Sequence, residues 1–533
     1  MGNRVDVVVI GSGFGGAVTA CRLAQSGAKV LVLERGRRWT TETYPRAHDD
    51  PWLYSPSQPQ RKNGWLDVRH FRHMVVAQGA GVGGGSLCYS SVILPPNPQI
   101  FDEGWPAPIQ FEDLQRFFDL VRRMLGVRTI PEGQRTTRNH LLRDGAVATG
   151  QDKRLFDAPL AISFDDDLDT QTEGMLESIQ TKAKRNEHGK WQGSCTHLGN
   201  CDIGCNVQAK NTLDLNYLAS AENWGADIRP LHIVRCITPD SNGYCVSYDR
   251  IADGKLIGGS VEANRVVMAA GSLGSTELLL RCRDQFQTLP KLSQALGKNW
   301  TPNGNVLTPA IYADGAKVRQ STGPTISAGL NYSDGSSSDG SYVIEDDGFP
   351  NVLFNAMRAG ADRGWLSMAG WSRPGRMIPS RDDANLLSNV MVWLGAGRDE
   401  GGGTMRLTRS LLTPWQKKLN LAWNPESAIQ IVETILERHR ALTEATGGTL
   451  KVPKLWRWFR TMITVHPLGG CAMADSIDSG VVNHRGEVFE YPGLYVCDGA
   501  MIPKAIGLNP SLTIAAIAER NASLMCARQT NSN

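Results

Sequence analysis

A glycine-rich turn between a buried strand and a helix constrains this chain more than any other feature. Residues 5–10 (VDVVVI) are a continuous β-branched run, which is typical of a strand buried on both faces of a parallel sheet. GSGFGG follows at once at 11–16, and the apolar spacing after it predicts a helix that ends at Gly27. A second apolar strand then ends at Glu34. This strand–turn–helix–strand order predicts a Rossmann-type α/β unit at the start of the chain.

The turn has the residues that a dinucleotide site needs. Gly11 allows the tight turn, Gly13 lets a pyrophosphate approach the backbone, and Gly16 lets helix and strand pack closely. The helix N-terminus presents unpaired N–H groups to the phosphates. Glu34 lies 18 residues after Gly16, where its carboxylate can accept hydrogen bonds from a ribose. These features predict a dinucleotide site, but they do not separate FAD from NAD.

Further nucleotide-site elements occur along the chain. Residues 79–86 (GAGVGGGS) form a second glycine-rich loop that suits a backbone wrapped around a ligand. A strand and helix follow at 265–281, a strand with an acidic residue at its end lies at 493–500, and a helix follows Asn509-Pro510. The cofactor domain is therefore expected to be discontinuous, with a substrate domain inserted into it.

Composition excludes several classes of protein. The chain has 533 residues, of which 41% are hydrophobic and 20% charged, so it is expected to be globular. Its net charge of +3 gives no electrostatic case for nucleic acid. No run of about 18 apolar residues and no secretory leader is seen, and the 11 cysteines are dispersed. A reduced cytoplasmic protein is the expectation.

Five motifs, in order along the chain, match one family: GSGFGG with Glu34, GAGVGGGSL at 79–87, AAGSLGSTELLLR at 269–281, HPLGGC at 466–471, and the DGA and NP pair at 498–510. Together they resemble the glucose-methanol-choline (GMC) flavin oxidoreductases. Asn303-Gly304-Asn305, VIEDDGFP at 343–350 and Asn509-Pro510 resemble the branch of cholesterol oxidases with non-covalent FAD.

The resemblance implies a Rossmann-type FAD-binding domain with an inserted substrate domain, built on a mostly antiparallel six-stranded sheet. The expected FAD-binding parts are 1–115 (with a lid at about 50–63), 196–300 and 456–533, and the expected substrate parts are 116–195 and 301–455. It also implies a set of FAD-contacting residues: Gly11, Gly13, Phe14, Gly15, Gly16, Glu34, Gly79, Gly83, Gly84, Gly85, Ser86, Val234, Asp498, Gly499, Asn509 and Pro510. No histidine occurs in 79–98, so a covalent histidyl link is not expected.

Three residues are candidates for the chemistry of alcohol oxidation. His466 resembles the family's active-site histidine, and an imidazole can take or share the hydroxyl proton. Asn509 can donate a hydrogen bond to the substrate or the flavin edge, or it can cap a helix. Glu345 resembles the branch's active-site carboxylate, which could move a proton between C4 and C6 of a steroid; the alternative is a solvated acidic loop with Asp346 and Asp347. Asn305 is a further candidate for the pocket.

One departure from the branch lies just after the second glycine-rich loop. Cys88-Tyr89 stands where the branch usually has an asparagine, which puts the tuning of the flavin in question.

A cluster of three cysteines allows several interpretations. Cys195, Cys201 and Cys205 could ligate an iron–sulfur cluster, or zinc with His197, or could form a turn without metal. The prediction is that no metal is bound.

The sequence thus predicts an FAD-dependent alcohol oxidoreductase. The expected reaction is that of a cholesterol oxidase, with possible Δ5 to Δ4 isomerisation, with oxygen or another acceptor, and with transient contact to a membrane surface. Two alternatives stay open. One is a GMC-type dehydrogenase of a sterol, sugar or other alcohol that passes electrons to an acceptor other than oxygen. The other is a non-catalytic flavoprotein.

Overall fold

The structure is a computed structural model that describes residues 4–47, 49–168, 179–313, 318–334, 340–348, 350, 352, 389–410 and 413–530. Its described strands are β1 Val5–Ile10, β2 Val30–Leu33, β3 Leu66–His70, β4 Met74–Gly79, β5 Leu155–Asp157, β6 Lys184–Arg185, β7 Trp191–Gln192, β8 Asp227–Arg229, β9 His232–Asp240, β10 Gly243–Ala252, β11 Lys255–Met268, β12 Val306–Ile311, β13 Ala328–Asn331, β14 Tyr342–Asp347, β15 Val390–Gly397, β16 Thr404–Ser410, β17 Thr413–Ala422, β18 Thr449–Leu450, β19 Met462–Thr464 and β20 Leu494–Val496. Its described α-helices are α1 Phe14–Gln25, α2 Phe111–Met124, α3 Thr137–Ala148, α4 Tyr217–Asn223, α5 Gly271–Leu280, α6 Ile429–Ala445, α7 Lys454–Phe459 and α8 Ser511–Thr530.

The larger sheet has seven strands in the order β8-β2-β1-β11-β10-β9, with β20 paired to β11. Strands β8, β2, β1, β11 and β20 form the parallel part of the sheet, whereas β10 pairs antiparallel with both β11 and β9. Strands β1 and β2 are short, apolar and almost completely buried, because α1 packs against them. Helix α1 ends as expected before Gly27, which has a φ of 88°. The expected Rossmann-type unit is confirmed.

The second sheet has six strands in the order β18-β12-β15-β14-β13-β5, and all of its pairings are antiparallel. Helices α3 and α6 pack on this sheet. The expected antiparallel sheet is therefore confirmed as well. The residue boundaries proposed for the two domains remain a prediction.

A smaller sheet, in the order β19-β4-β3, lies beside the chain segment that carries His466. Strand β19 pairs in parallel with β4, two residues before the histidine. No helix among the described residues is long and apolar enough to cross a bilayer.

Candidate active site

A single elongated cavity of about 560 Å³ connects the glycine-rich turn with His466. At one end it is bordered by residues 10–15 and Glu34, which follow β1 and β2. At the other end it is bordered by His466 and Asn509, and by Leu394 of the six-stranded sheet. The cavity thus lies at the carboxyl ends of the parallel strands, where α/β sheets bind their ligands.

The glycine turn closes tightly on the protein side and is open on the cavity side. Gly11 has a φ of 98°, and a Cβ on Gly11, Gly15 or Gly16 would overlap backbone oxygens. A Cβ on Gly13 would meet no protein atom closer than 3.9 Å. Gly13 is also the N-cap of α1 and provides no side-chain cap. The first N–H groups of α1 therefore border the cavity and can bind a diphosphate.

Glu34 is held in place by the glycine turn. Its Oε2 accepts hydrogen bonds from Ser12 N (3.1 Å) and Ser12 Oγ (2.7 Å), and its Oε1 accepts one from Gly36 N (2.9 Å). Each carboxylate oxygen has further lone-pair capacity, and Glu34 borders the cavity. This carboxylate can both fix the turn and accept a hydrogen bond from a ribose hydroxyl.

The second glycine loop runs along the cavity wall. Gly79, Gly84 and Gly85 border the cavity, and a Cβ on Gly85 would meet no protein atom within 4 Å. Behind the loop, the buried ammonium group of Lys210 donates to the backbone oxygens of Leu87 (2.9 Å), Tyr89 (3.3 Å) and Cys201 (2.5 Å). Sequence reasoning did not identify Lys210 as the residue that fixes this loop.

Asp498 joins two chain segments that border the cavity. Its Oδ2 accepts from Gly271 N (2.8 Å) and Ser275 Oγ (2.6 Å), and its Oδ1 accepts from Ala500 N (2.8 Å). Burial raises the pKa of Asp498 to about 6. Asp498 thus holds the start of α5 against the segment that follows β20.

The structure brings most of the expected cofactor residues together. The expected residues that border the cavity are Gly11, Gly13, Phe14, Gly15, Glu34, Gly79, Gly84, Gly85, Val234, Asp498, Gly499, Asn509 and Pro510. Those that are not among its lining residues are Gly16, Gly83 and Ser86. Ser86 Oγ donates to Gly83 O (2.8 Å) and accepts from Leu213 N (3.1 Å), so it holds the loop from behind.

The segment expected as a lid, 50–63, lies at the nucleotide end. Tyr54, Pro56 and Ser57 border the cavity, and the guanidinium of Arg35 lies 4.6 Å from the centre of the Tyr54 ring.

His466 is oriented by Asn305, which sequence reasoning gave only as a further candidate for the pocket. The backbone N–H of Val465 donates to Asn305 Oδ1 (3.2 Å), and Thr464 Oγ1 lies 2.8 Å from the same oxygen. Because a backbone N–H can only donate, Asn305 presents its Nδ2 amide to His466 Nδ1, at 2.9 Å. His466 Nδ1 is therefore the hydrogen-bond acceptor of the ring.

This contact selects the tautomer of His466. With Nδ1 accepting, the neutral ring carries its proton on Nε2. Burial lowers the pKa of His466 to about 4, which keeps the ring neutral at physiological pH. His466 borders the cavity, so Nε2–H is available as a hydrogen-bond donor to a ligand there.

Glu345 and Asn509 form a second pair at this end. Glu345 is completely buried on β14, and its Oε2 accepts from Asn509 Nδ2 at 3.3 Å. Its Oε1 is buried and has no partner among the described residues. Burial raises the pKa of Glu345 to about 8. This excludes the solvated acidic loop: Glu345 is a buried carboxyl that holds a proton at neutral pH.

Asn509 borders the cavity, whereas Glu345 is not among the lining residues and lies behind it. Helix α8 begins two residues after Asn509, and the side-chain hydrogen bond found for Asn509 goes to Glu345. Asn303 fixes the preceding loop, because its Oδ1 accepts from Ile506 N (2.9 Å) and Gly507 N (2.8 Å). The two asparagines of Asn303-Gly304-Asn305 therefore position Asn509 and His466, respectively.

The three cysteines of the candidate cluster lie near Lys210, behind the second glycine-rich loop. Cys195 and Cys201 are buried in a second apolar cluster with Cys205 at its edge, and burial raises the pKa of the Cys201 thiol to about 11. Within the described ranges, no three His, Cys, Asp or Glu side chains are grouped as metal ligands.

Comparison with known proteins identifies the family. Residues 402–518 match the model for GMC oxidoreductases, and residues 9–56 match an NAD(P)-binding Rossmann-like domain. The chain is 30% identical to a cholesterol oxidase of Mycobacterium tuberculosis, over 97% of this chain and 90% of that protein. The chain belongs to the GMC oxidoreductase family.

Two further relatives of this GMC oxidoreductase are named for the alcohols that they oxidise. A cholesterol oxidase of Acinetobacter baumannii is 29% identical over 98% of this chain and 95% of its own length. A long-chain-alcohol oxidase of Arabidopsis thaliana is 26% identical over 97% of this chain and 66% of its own length. A solved formate oxidase shares the fold, with a TM-score of 0.64, 14% identity and 99% of both chains covered.

Membership makes the protein an oxidoreductase that acts on the CH–OH group of an alcohol and uses a flavin. The cavity fits that cofactor, because it has an uncapped helix N-terminus at one end, open glycines along its wall and His466 at the other end. Cys88 and Tyr89 also border it. Tyr89 packs edge-on against Phe14, with ring centres 5.4 Å apart, and burial raises the pKa of Cys88 to about 11, so this thiol is protonated at neutral pH.

Proposed function

We propose that this GMC oxidoreductase is an oxidase of bulky apolar alcohols, with the 3β-hydroxyl of a sterol such as cholesterol as its substrate. Oxygen is the electron acceptor, and hydrogen peroxide is the second product. The observation that carries the proposal is the arrangement of His466, Asn305, Asn509 and Glu345 at one end of the cofactor cavity. The two cholesterol oxidases that align along nearly the whole chain support the substrate class.

FAD is the proposed cofactor, and it is held without a covalent bond. The α1 N-terminus and Gly13 would bind its diphosphate, Glu34 its adenosine ribose, and Gly79, Gly84 and Gly85 would lie against the flavin. The lack of histidine in 79–98 supports non-covalent binding. When bound, the flavin supplies the acceptor for the hydride that leaves the carbinol carbon.

His466 acts on the substrate oxygen as a hydrogen-bond donor. Its Nε2–H orients the hydroxyl and stabilises the negative charge that develops on the oxygen as its proton leaves. Asn305 maintains this tautomer by donating to Nδ1. Since Nε2 already carries a proton, the neutral ring does not take the hydroxyl proton at this atom.

Glu345 is the proposed proton acceptor, and this role requires Asn509 to move aside when substrate binds, because Glu345 lies behind the lining of the cavity. In the ionised form its Oε1 is a buried acceptor without a partner among the described residues. The same carboxylate can take a proton from C4 of a 5-en-3-one and return it at C6, which gives the conjugated ketone. Because the pKa of Glu345 is about 8, isomerisation is expected to accelerate as the pH rises towards 8.

Protonation of Glu345 also changes what Asn509 offers to the cavity. A protonated carboxyl can donate to Asn509 Oδ1, and Asn509 Nδ2 then points its hydrogens into the cavity. With ionised Glu345 the amide donates to the carboxylate instead. The protonation state of Glu345 therefore determines whether Asn509 donates a hydrogen bond to the substrate and the flavin.

An anaerobic titration of the purified flavoprotein tests the function. Cholesterol, a long-chain primary alcohol and a sugar are added separately, and air is then admitted. Loss of the flavin absorption band with cholesterol, and rapid recovery with peroxide in air, are expected. Reduction only by the long-chain alcohol would move the substrate to the class of the plant relative, and slow recovery in air would indicate a dehydrogenase. A flavin that no alcohol reduces would overturn the proposal.

A further inference from the structure

Two cysteines that are far apart in the sequence lie side by side in the fold. Cys236 is partly exposed on β9, and Cys282 is completely buried just after α5. Their thiol groups hydrogen-bond each other. Ile237 N also donates to Cys282 Sγ at 3.4 Å, and Thr288 Oγ1 lies 3.5 Å from Cys236 Sγ. The two sulfur atoms are therefore direct neighbours.

The backbone is irregular at both cysteines. The register of β9 against β10 shifts by one residue just before Cys236, which is a β-bulge. Cys282 lies in a π-helical turn, Arg281–Gln285, that follows α5. Both kinds of irregularity are common at functional sites. Their meeting at one pair of thiols favours a chemical role for the pair over simple packing.

The two thiols differ in acidity. Hydrogen bonds from Cys282 and from the hydroxyl groups of Thr288 and Thr238 lower the pKa of the Cys236 thiol. The pKa of the Cys282 thiol is raised, because it donates to Cys236 and is buried. The thiolate is the form of cysteine that acts as a nucleophile. Cys236, which is also the more exposed of the two, is therefore placed to react first, and Cys282 is placed to react with the product.

The elements that carry the two cysteines also border the nucleotide end of the cavity. Strand β9 begins where His232 N donates to Glu34 O at 2.8 Å, and Val234 of the same strand borders the cavity. Arg281 borders the cavity as well and immediately precedes Cys282. A bond between the two sulfur atoms would therefore join β9 to the end of α5 beside the site of the cofactor.

We propose that Cys236 and Cys282 form a peroxide-sensitive thiol pair, which closes to a disulfide and thereby slows the release of the flavin. The Cys236 thiolate attacks one oxygen of hydrogen peroxide, the O–O bond breaks, and a sulfenic acid and hydroxide form. The hydroxide takes up a proton and becomes water. Cys282 Sγ then attacks Cys236 Sγ, the S–O bond breaks, and the thiol proton leaves with the oxygen as a second water.

The overall reaction is balanced: two thiols and one hydrogen peroxide give one disulfide and two waters. An external dithiol reverses it by thiol–disulfide exchange. Hydrogen peroxide is the second product of the proposed oxidase. Supply of peroxide by turnover rests on the proposed function, whereas the reaction of the pair with added peroxide does not.

Thiol counting on the full-length flavoprotein tests the pair. The protein is reduced with dithiothreitol, freed of the reductant and treated with hydrogen peroxide, and its thiols are then counted in denaturant. We expect peroxide to remove two of the 11 thiols and dithiothreitol to restore them. Trypsin places Cys236 in the fragment 236–250 and Cys282 in the fragment 282–283, and mass spectrometry should find these two fragments joined.

Single variants determine the order of the reaction. Cys236→Ser should lose no thiol to peroxide. Cys282→Ala should form a sulfenic acid at Cys236, which dimedone traps, but no disulfide. All variants are compared only when they retain flavin, which reports an intact fold.

Two control variants separate this pair from the other cysteines. Cys245 lies in the same tryptic fragment as Cys236 and pairs with Thr238 of β9, so it is the alternative partner on the sheet. Cys526 is partly exposed on α8. Cys245→Ser and Cys526→Ser should both still lose two thiols to peroxide.

The effect on the cofactor is measured as the rate at which flavin fluorescence appears when the cofactor leaves the protein. Release from the oxidised protein should be several-fold slower than from the reduced protein, because a covalent bond between β9 and the end of α5 opposes the local opening that lets the flavin leave. The difference should vanish in Cys236→Ser.

Three results would overturn the proposal: no loss of thiols to added peroxide, a disulfide that includes any other cysteine, or equal rates of flavin release from the oxidised and reduced proteins. Thiols are also counted after turnover of cholesterol in air without added peroxide. A protein whose pair reacts with added peroxide but stays reduced in the presence of cholesterol and air would contradict the proposed function and leave the thiol pair standing.

Discussion

Replacing Glu345 with glutamine is expected to stabilise the protein in a pH-dependent way. Glu345 is completely buried, its Oε1 has no described partner, and burial raises its pKa from an ordinary value of 4.5 to about 8. Between these two pH values, the unfolded carboxyl is ionised while the folded one is protonated. Folding must then bind a proton, so the stability of the wild type falls as the pH rises from 4.5 to 8.

The size of the effect follows from this pKa. Proton binding costs about 1.4 kcal/mol for each pH unit above 4.5, and therefore about 3 kcal/mol at pH 7 and about 5 kcal/mol above pH 8. Glutamine has a similar shape, can accept from Asn509, and takes no part in this proton binding. Glu345→Gln should thus be as stable as the wild type at pH 4.5 and more stable by these amounts at higher pH.

Thermal unfolding at a fixed scan rate measures this difference. For a chain of 533 residues, the usual entropy of unfolding per residue gives about 1 °C for each kcal/mol. Tm of Glu345→Gln should exceed that of the wild type by about 3 °C at pH 7 and about 5 °C above pH 8. The same substitution at the exposed Glu437 serves as the control and should leave Tm unchanged. A Tm difference that does not vary with pH, or a less stable glutamine variant above pH 7, would refute a buried protonated Glu345.

Three further substitutions test the cofactor cavity and the orientation of His466. Asn305→Asp replaces the hydrogen-bond donor to His466 Nδ1 with an acceptor, which moves the ring proton of His466 from Nε2 to Nδ1. Flavin reduction by the alcohol, followed by stopped flow, should therefore slow about 100-fold while flavin is retained. An unchanged rate would contradict the proposed tautomer of His466. Gly13→Val fills the space beside the α1 N-terminus and should yield colourless protein by absorption, whereas Gly258→Val, away from the cavity, should stay yellow. Lys210→Met leaves three buried carbonyl groups without their donor, and it should lower Tm by about 2 °C and speed flavin release; a wild-type Tm and release rate would exclude this role.

The sequence predicts the Rossmann-type sheet well because its signals are local. Strand β1, the glycine turn and α1 are adjacent in the sequence. The spacing of apolar residues in the strand and in the helix matches the residues that each of them buries. The six-stranded sheet was expected only from the family resemblance. Its strands are joined by long connections, and β15 is almost completely buried, so it lacks the alternation of a half-exposed strand.

The site was predicted as a set of residues but not as a network. His466 and Asn305 are 161 residues apart, and Glu345 and Asn509 are 164 apart, so no local spacing reveals either pair. The tautomer of His466 depends on the backbone N–H of Val465, which sequence patterns do not show. Lys210 belongs to no recognised motif, and only its hydrogen bonds to three backbone carbonyl groups show that it fixes the loop.

The most direct test of the account is the rate of flavin reduction by cholesterol under anaerobic conditions, compared between the wild type and His466→Ala. The account predicts that the wild type is reduced and that His466→Ala retains flavin but is reduced about 100-fold to 10,000-fold more slowly. Equal rates in the two proteins would contradict the role of His466, and a wild type that cholesterol does not reduce would contradict the proposed substrate.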